Sequence, residues 1–167
     1  MKNTNFNYMQ IKYKPIGIIR SPFKKTKGTP IQPSAGKDYE GLVEVYPEYI
    51  DGLQDLDGFS HIILIYHFHL VKKGPLKVKP FMDDNVHGIF AIRGPARPNP
   101  VGISVTRLLK VDGNKLFVRG IDIIDGTPLL DIKPYVPEFD AAEEFKTGWL
   151  KQNIRKLPES KDDGRFV

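Results

Sequence analysis

The sequence predicts an all-β fold: a single closed β-barrel followed by a C-terminal helix. Three observations point there. Short runs of alternating apolar and polar residues recur from Tyr13 to Val136, bounded by Pro, Gly and Asp-Gly turns. Helical spacing shows only late, where Phe145, Trp149, Leu150, Ile154 and Leu157 share one stripe. No Gly-x-Gly-x-x-Gly opens a helix after a strand, and no Walker-type phosphate loop occurs, so a doubly wound nucleotide fold is excluded. With 167 residues, 40% of them hydrophobic, the chain suits one domain. Residues 1–136 are expected to form the barrel, and 137–167 to add the helix and a charged tail to it.

Tyr13 to Arg20 reads as the first strand, stopped by Ser21-Pro22. Lys24 to Lys37 is a polar loop with Gly28, Pro30, Pro33 and Gly36, of a length that often serves binding. Gly41 to Tyr46 alternates as a strand, and Pro47 to Gly58 reads as a helical turn followed by acidic loop. His61 to Leu70 is the strongest strand. It places His61, Ile63, Ile65, His67 and His69 on one face, with Ile62, Leu64, Tyr66, Phe68 and Leu70 on the other. Both faces are apolar enough for a central position. Gly88 to Arg93 is a short strand.

Ile103 to Val111 follows, with Ile103, Val105, Leu109 and Val111 expected inward and Ser104, Thr106 and Lys110 outward. Asp112-Gly113-Asn114 signals a hairpin. Lys115 to Ile124 then puts Asp122 on the face of Leu116 and Val118, where an acid needs a partner or a ligand. Asp125-Gly126-Thr127-Pro128 turns into a last strand, Leu129 to Val136, carrying Asp131, Lys133 and Tyr135. Gly148 weakens the helix beyond it by about 1 kcal/mol, and the tail from Pro158 is expected to be loose.

Composition narrows the chemistry. Without cysteine there is no disulfide, thiol nucleophile or cysteine-ligated metal. Met1 to Gln10 lacks the apolar core of a secretory signal, and the longest apolar run, Ile62 to Val71, is too short for a membrane span, so a soluble, cytoplasmic protein is expected. The net charge of +5 is unevenly spread. Lys2, Lys12, Lys14, Arg20, Lys24, Lys25 and Lys27 precede any acid, residues 38–60 carry only acids, and Lys72, Lys73, Lys77 and Lys79 follow. Such blocks either form ordinary solvated surface or a one-sided field that attracts a polyanion. Lys24, Lys25, Lys27 and Arg97 are the candidate phosphate contacts.

The most constrained segment is Arg93-Gly-Pro-Ala-Arg-Pro-Asn-Pro-Val-Gly102. Pro95, Pro98 and Pro100 fix three φ angles and restrict the residues before them, which rules out a helix. A stiff loop thus holds Arg93 and Arg97, whose guanidinium forks suit phosphate or carboxylate, and Asn99, whose amide suits an adenine edge. Alternatively, the loop is a plain strand crossing in which Arg97 pairs with an acid. His67 and His69 form a His-x-His pair with a spacing that zinc sites use, although no third ligand is evident.

The proline segment, together with Asp122-Ile-Ile-Asp-Gly-Thr-Pro-Leu-Leu-Asp-Ile-Lys-Pro-Tyr135, closely resembles the TrmO (TsaA/YaeB-like) family. Gly17-Ile-Ile-Arg-Ser-Pro22, Gln32-Pro33 and Phe59-Ser-His61 fit the same pattern in the same order, so the resemblance covers about residues 14–136. It implies an S-adenosylmethionine-dependent tRNA methyltransferase acting on N6 of threonylcarbamoyl-adenosine at position 37. It also implies a β-barrel and a homodimer with the cofactor near the subunit interface. Carried over, the cofactor contacts fall on Gln32, Pro33, Ser34, Ala35, His69, Leu70, Arg93, Ile103 and Asp122. Gly-Pro-Ala follows Arg93 where the family more usually has Ser, and longer bacterial members carry a further C-terminal domain that these residues do not include.

Methylation at N6 needs in-line positioning and an acceptor for the N6 proton more than a protein nucleophile. Asp122, Tyr135 and Asn99 are the candidates for catalysis. Asp125 reads better as a turn residue. Two other classes stay open: a catalytically inactive tRNA-binding barrel, which would not bind S-adenosylmethionine, and a zinc hydrolase built on His67 and His69, which metal analysis would reveal.

Overall fold

The computed structural model describes residues 10–164. Lys2 and the first nine residues of the polar N-terminal stretch lie outside them, as do the last three residues of the tail. Among the described residues the strands are β1 (Gly17–Arg20), β2 (Glu40–Val45), β3 (His61–His67), β4 (Lys77–Val78), β5 (His87–Gly88), β6 (Val101–Asp112), β7 (Lys115–Arg119) and β8 (Thr127–Pro134). Six of them close into a barrel in the order β1-β2-β7-β6-β3-β8, every pairing antiparallel, while β4 and β5 form a separate two-stranded sheet. The expected closed all-β barrel is therefore present. Closure leaves the barrel without a free edge, because β8 pairs with both β1 and β3.

The interior is filled by Ile19, Val43, Ile62, Leu64, Leu116, Val118 and Leu129, all without solvent exposure. On β3 the face of Ile62, Leu64 and Tyr66 points inward, and His61, Ile63, Ile65 and His67 lie half-buried outside. The strand is central, between β6 and β8, but ends at His67, not Leu70.

Further expectations are corrected. On β6 the alternation runs opposite to the prediction: Gly102, Ser104, Thr106 and Leu108 are buried, while Ile103, Val105 and Leu109 are exposed. Register decides this, since Tyr66, Leu64 and Ile62 of the inward face stand opposite Gly102, Ser104 and Thr106. A register shift between Leu108 and Lys110 then reverses the phase, so that Val111 packs against the core as expected. The Gly88–Arg93 segment is not a strand: β5 ends at Gly88 and Ile89–Ala91 forms a 3₁₀ turn.

The C-terminal helix is only two short pieces, α1 (Pro137–Asp140) and α2 (Leu150–Asn153), with a 3₁₀ turn over Ile154–Glu159. Gly148 at φ +54° lies in the left-handed region, so no helix runs from Phe145 through Trp149. Nor is the tail loose as far as Asp162: its N–H donates to Thr29 O at 2.9 Å, and Gly28 N–H donates to Asp162 O at 2.7 Å.

Candidate functional site

A cavity of about 580 Å³ opens between the barrel wall and the loops around it, a size usual for small-ligand sites. Four segments far apart in sequence meet there: the loop from Thr26 to Ser34, the end of β3 with Phe68 to Val71, the proline loop, and Asp122 to Ile124. Trp149, Leu150 and Leu157 of the C-terminal turns complete the wall.

The polar centre of the cavity is built by register. A Cβ on Gly102 would run into the ring of Tyr66, which sits directly opposite it on β3. Glycine there gives the ring its place. The Tyr66 hydroxyl meets Ser104 Oγ at 3.0 Å, and Ser104 Oγ donates to Asp122 Oδ1 at 2.7 Å. Ser104 spends its proton on the carboxylate, so Tyr66 is the donor to Ser104. Asp122 stands between Ile121 and Ile123, which are buried, and so turns to the cavity.

Burial pushes the Asp122 carboxyl up to about 7, against the Ser104 hydrogen bond and the Arg93 charge, which both pull it down. Burial first, and the Asp122 charge after it, raise the Tyr66 phenol as well, so it stays a neutral donor. Arg93 Nη1 donates to Gln32 Oε1 at 3.2 Å, tying the proline loop to the long polar loop across the mouth. His69 lies within 3.4 Å of Thr127 Oγ1, and burial, then the nearby His67, hold its pKa below the usual value.

Of the residues singled out from the sequence, Gln32, Ser34, His69, Leu70, Arg93, Arg97, Ile103 and Asp122 line the cavity. Pro33 and Ala35 shape the 3₁₀ turn beside it without lining it. Asn99 and Tyr135 are not lining residues either. Asn99 O accepts the Val101 N–H at 2.7 Å, and Tyr135 lies edge-on to His61 with ring centroids 6.4 Å apart. Among the described residues Arg97 pairs with no acid; it reaches the carbonyls of Ile92 and Gly94 in its own loop at 3.4 and 3.5 Å.

Lys24, Lys25 and Lys27 are exposed on the loop that leads to the cavity, and Lys24 Nζ lies 2.8 Å from Asp125 Oδ2. That bond, and the Ser21 N–H, hold Asp125 below the usual carboxylate range in its turn. Among the described residues no group of three or more His, Cys, Asp or Glu is placed to hold a metal, so the His67/His69 pair gains no third ligand there. No helix among them is long and apolar enough to cross a membrane.

Sequence reasoning missed Tyr66, Ser104 and Trp149 as site residues. Ser104 was expected outside, and Tyr66 reads as plain core. For Trp149 the signal was its being the single tryptophan of the chain, in the apolar stripe with Leu150, Ile154 and Leu157.

The profile of the tRNA-methyltransferase O N-terminal domain matches residues 18–141. A probable S-adenosyl-L-methionine-binding protein of Pyrococcus abyssi is 61% identical over 158 residues, spanning 95% of this chain and 86% of the relative. A tRNA (adenine(37)-N6)-methyltransferase of Mus musculus is 35% identical over 140 residues, 78% of this chain but 32% of that protein. Among solved structures, the crystal structure of TrmO from Pseudomonas aeruginosa superposes with a TM-score of 0.71 at 36% identity, covering 84% of this chain. The chain spans 63% of that solved protein, less than two thirds of its length.

Proposed function

The chain belongs to the TrmO family, and on that premise we propose that it is an S-adenosylmethionine-dependent tRNA methyltransferase. Its target is N6 of adenine 37, in tRNA already carrying the threonylcarbamoyl group, in the cytoplasm. The observation that carries the reading is one cavity whose largely apolar walls present two guanidiniums, Arg93 and Arg97, and two carboxylates, of which Asp122, half-buried, is the one braced by Ser104. S-adenosylmethionine carries a carboxylate, an ammonium and a sulfonium beside an adenine ring, and this donor set fits it. Bound there, it supplies an electrophilic methyl group.

The protein's own part is to position and to move a proton. Arg93, braced by Gln32, binds the carboxylate end, and Asp122 faces the cationic part. Of the three catalytic candidates, Asp122 alone lines the cavity. A carboxyl whose pKa burial sets near neutrality is suited to take the proton that N6 loses as the new bond forms. Ser104 and Tyr66 keep its other side occupied. Lys25 and Lys27, exposed at the mouth, suit the RNA phosphates.

Assembly belongs to the same reading. Val101, Ile103 and Val105 are 41%, 53% and 37% exposed in a row on β6, with Ile63 and Ile65 half-buried beside them on β3. A second copy packing there would make a two-fold dimer and bring the shared face to Ile103 at the cavity edge. The test is incubation of the protein with labelled S-adenosylmethionine and threonylcarbamoylated tRNA, followed by nucleoside mass analysis. Methyl on N6 at position 37 is expected. Binding of the cofactor with no methyl transferred to any tRNA would remove the enzyme reading. Light scattering at about 19 kDa with full cofactor affinity would remove the shared site.

A further inference from the structure

Phe90 combines two properties: the residue is 76% exposed, and both of its chain neighbours are anchored. Ile89, its neighbour, is 1% exposed and packs with Val78 and Ala96 in a small second core. Ile89 N–H donates to Leu76 O at 2.9 Å, and Ala91 O accepts the Trp149 Nε1 proton at 2.8 Å. Trp149 in turn stacks on His87 with centroids 4.6 Å apart, and His87 Nε2 lies 3.0 Å from Asp83. No other ring packs on Phe90 among the described residues. A single exposed aromatic is unremarkable in itself. This one stands on the rim of the cavity that holds Asp122, three residues before Arg93.

We propose that Phe90 is the platform on which the target adenine stacks when its N6 is presented to the cavity. The inference rests on the methyltransferase reading above. An enzyme that acts on a base must take it out of its stack and hold it. Here the reacting atom is on the edge of the ring, and that edge must stay free to meet the methyl donor. The faces are handles that leave that edge untouched. A phenyl ring has neither donor nor acceptor, so it grips a face and leaves each edge atom free, and its anchored backbone leaves little freedom to lose on binding.

The experiment measures binding of anticodon stem-loop RNAs to the wild type, Phe90→Ala and Phe90→Trp. The RNAs carry threonylcarbamoyl-adenosine at position 37, an abasic site at 37, or the modified adenosine with abasic sites on either side of it. Phe90→Ala should weaken binding about 10-fold when adenine is at 37, the order expected for one lost stack. It should have no effect when 37 is abasic, and Phe90→Trp should restore affinity. Calorimetry with S-adenosylmethionine separates the roles: a loss of cofactor affinity in Phe90→Ala as large as its loss of RNA affinity would make the ring a cofactor contact and overturn the proposal. A loss that persists with 37 abasic but vanishes with a neighbouring abasic site would assign Phe90 to that neighbour and overturn the proposal. So would a Phe90→Ala protein that changes its oligomeric state, since the ring would then be a subunit contact. A wild type that binds and methylates RNA, with no difference among the variants, removes the Phe90 proposal and leaves the enzyme. A wild type that binds cofactor but no RNA removes both.

Discussion

The barrel interior and the cavity beside it share a wall yet obey opposite rules. Inside, Ile19, Val43, Leu116 and Val118 are fully buried and carry no polar side-chain atom. In the cavity, burial falls on Asp122 and on the Tyr66 and Ser104 hydroxyls that brace it. Tyr66 belongs to both: its ring is 4% exposed in the core cluster, and its hydroxyl reaches the cavity network. Apolar burial stabilises the fold, whereas burial of a carboxylate opposes it. The difference teaches where selection for binding has overridden selection for stability.

The sharpest way to break the comparison is on the apolar side. Leu116→Ala should cost about 2–5 kcal/mol, read as a shift of the urea midpoint, because it empties a site with no exposure. The folded fraction should still bind S-adenosylmethionine as the wild type does. If ligand affinity fell in step with stability, the two regions would not be separable.

Asp122→Asn should act with the opposite sign. The folded state holds the Asp122 proton more tightly than the unfolded chain, with a pKa of about 7 against an ordinary 3.8. Its contribution to stability is therefore full below about pH 4 and is lost as pH rises towards 7. At pH 8 the amide should be more stable than wild type by ~1–4 kcal/mol, and melts taken between pH 4 and pH 8 should lose that slope. Cofactor binding should fall at the same time. An Asn variant less stable at pH 8 would mean that the carboxylate is well paired where it sits.

Arg93→Ala tests the cavity mouth. Wild-type affinity for S-adenosylmethionine should be micromolar, roughly −8 kcal/mol, and the substitution should weaken it about tenfold by removing a charge-assisted contact. Lys25→Ala should leave it alone. Equal losses from both in calorimetry would point to a diffuse field and not to a bound carboxylate.

Smallest of all should be Arg119→Ala, outside both regions. Its ion pair with Glu40, at 2.7 Å, joins side chains that are 46% and 59% exposed. Solvent screening keeps such pairs below ~1 kcal/mol. A larger loss in thermal melts would show that the β2–β7 pairing, not the interior, limits stability.

Local pattern was enough for the architecture. Short alternating runs between Pro and Gly turns can bury their apolar faces only against one another, and the β3 residues Ile62 and Leu64 went inward as their alternation allowed. The proline loop was also legible, because three fixed φ angles are a property of the residues themselves. Arg93 and Asp122 therefore stood out before any fold was known, and both line the cavity.

What lay beyond local pattern was phase and proximity. Alternation says that β6 has two faces but not which one is inside. Pairing of Tyr66 with Gly102 chose the Ser104 face, and the shift at Leu108 to Lys110 reversed the choice for Val111. The C-terminal helix expected from the spacing of Phe145 and Trp149 starts only at Leu150, because Gly148 adopts a left-handed φ that spacing does not record. Tyr66, Ser104 and Asp122 come from three separate stretches, and only closure of the barrel brings their oxygens within hydrogen-bond distance. Chain chemistry sets which groups are available, while register and closure set which of them meet, because a side chain's partner across a sheet is decided by long-range pairing.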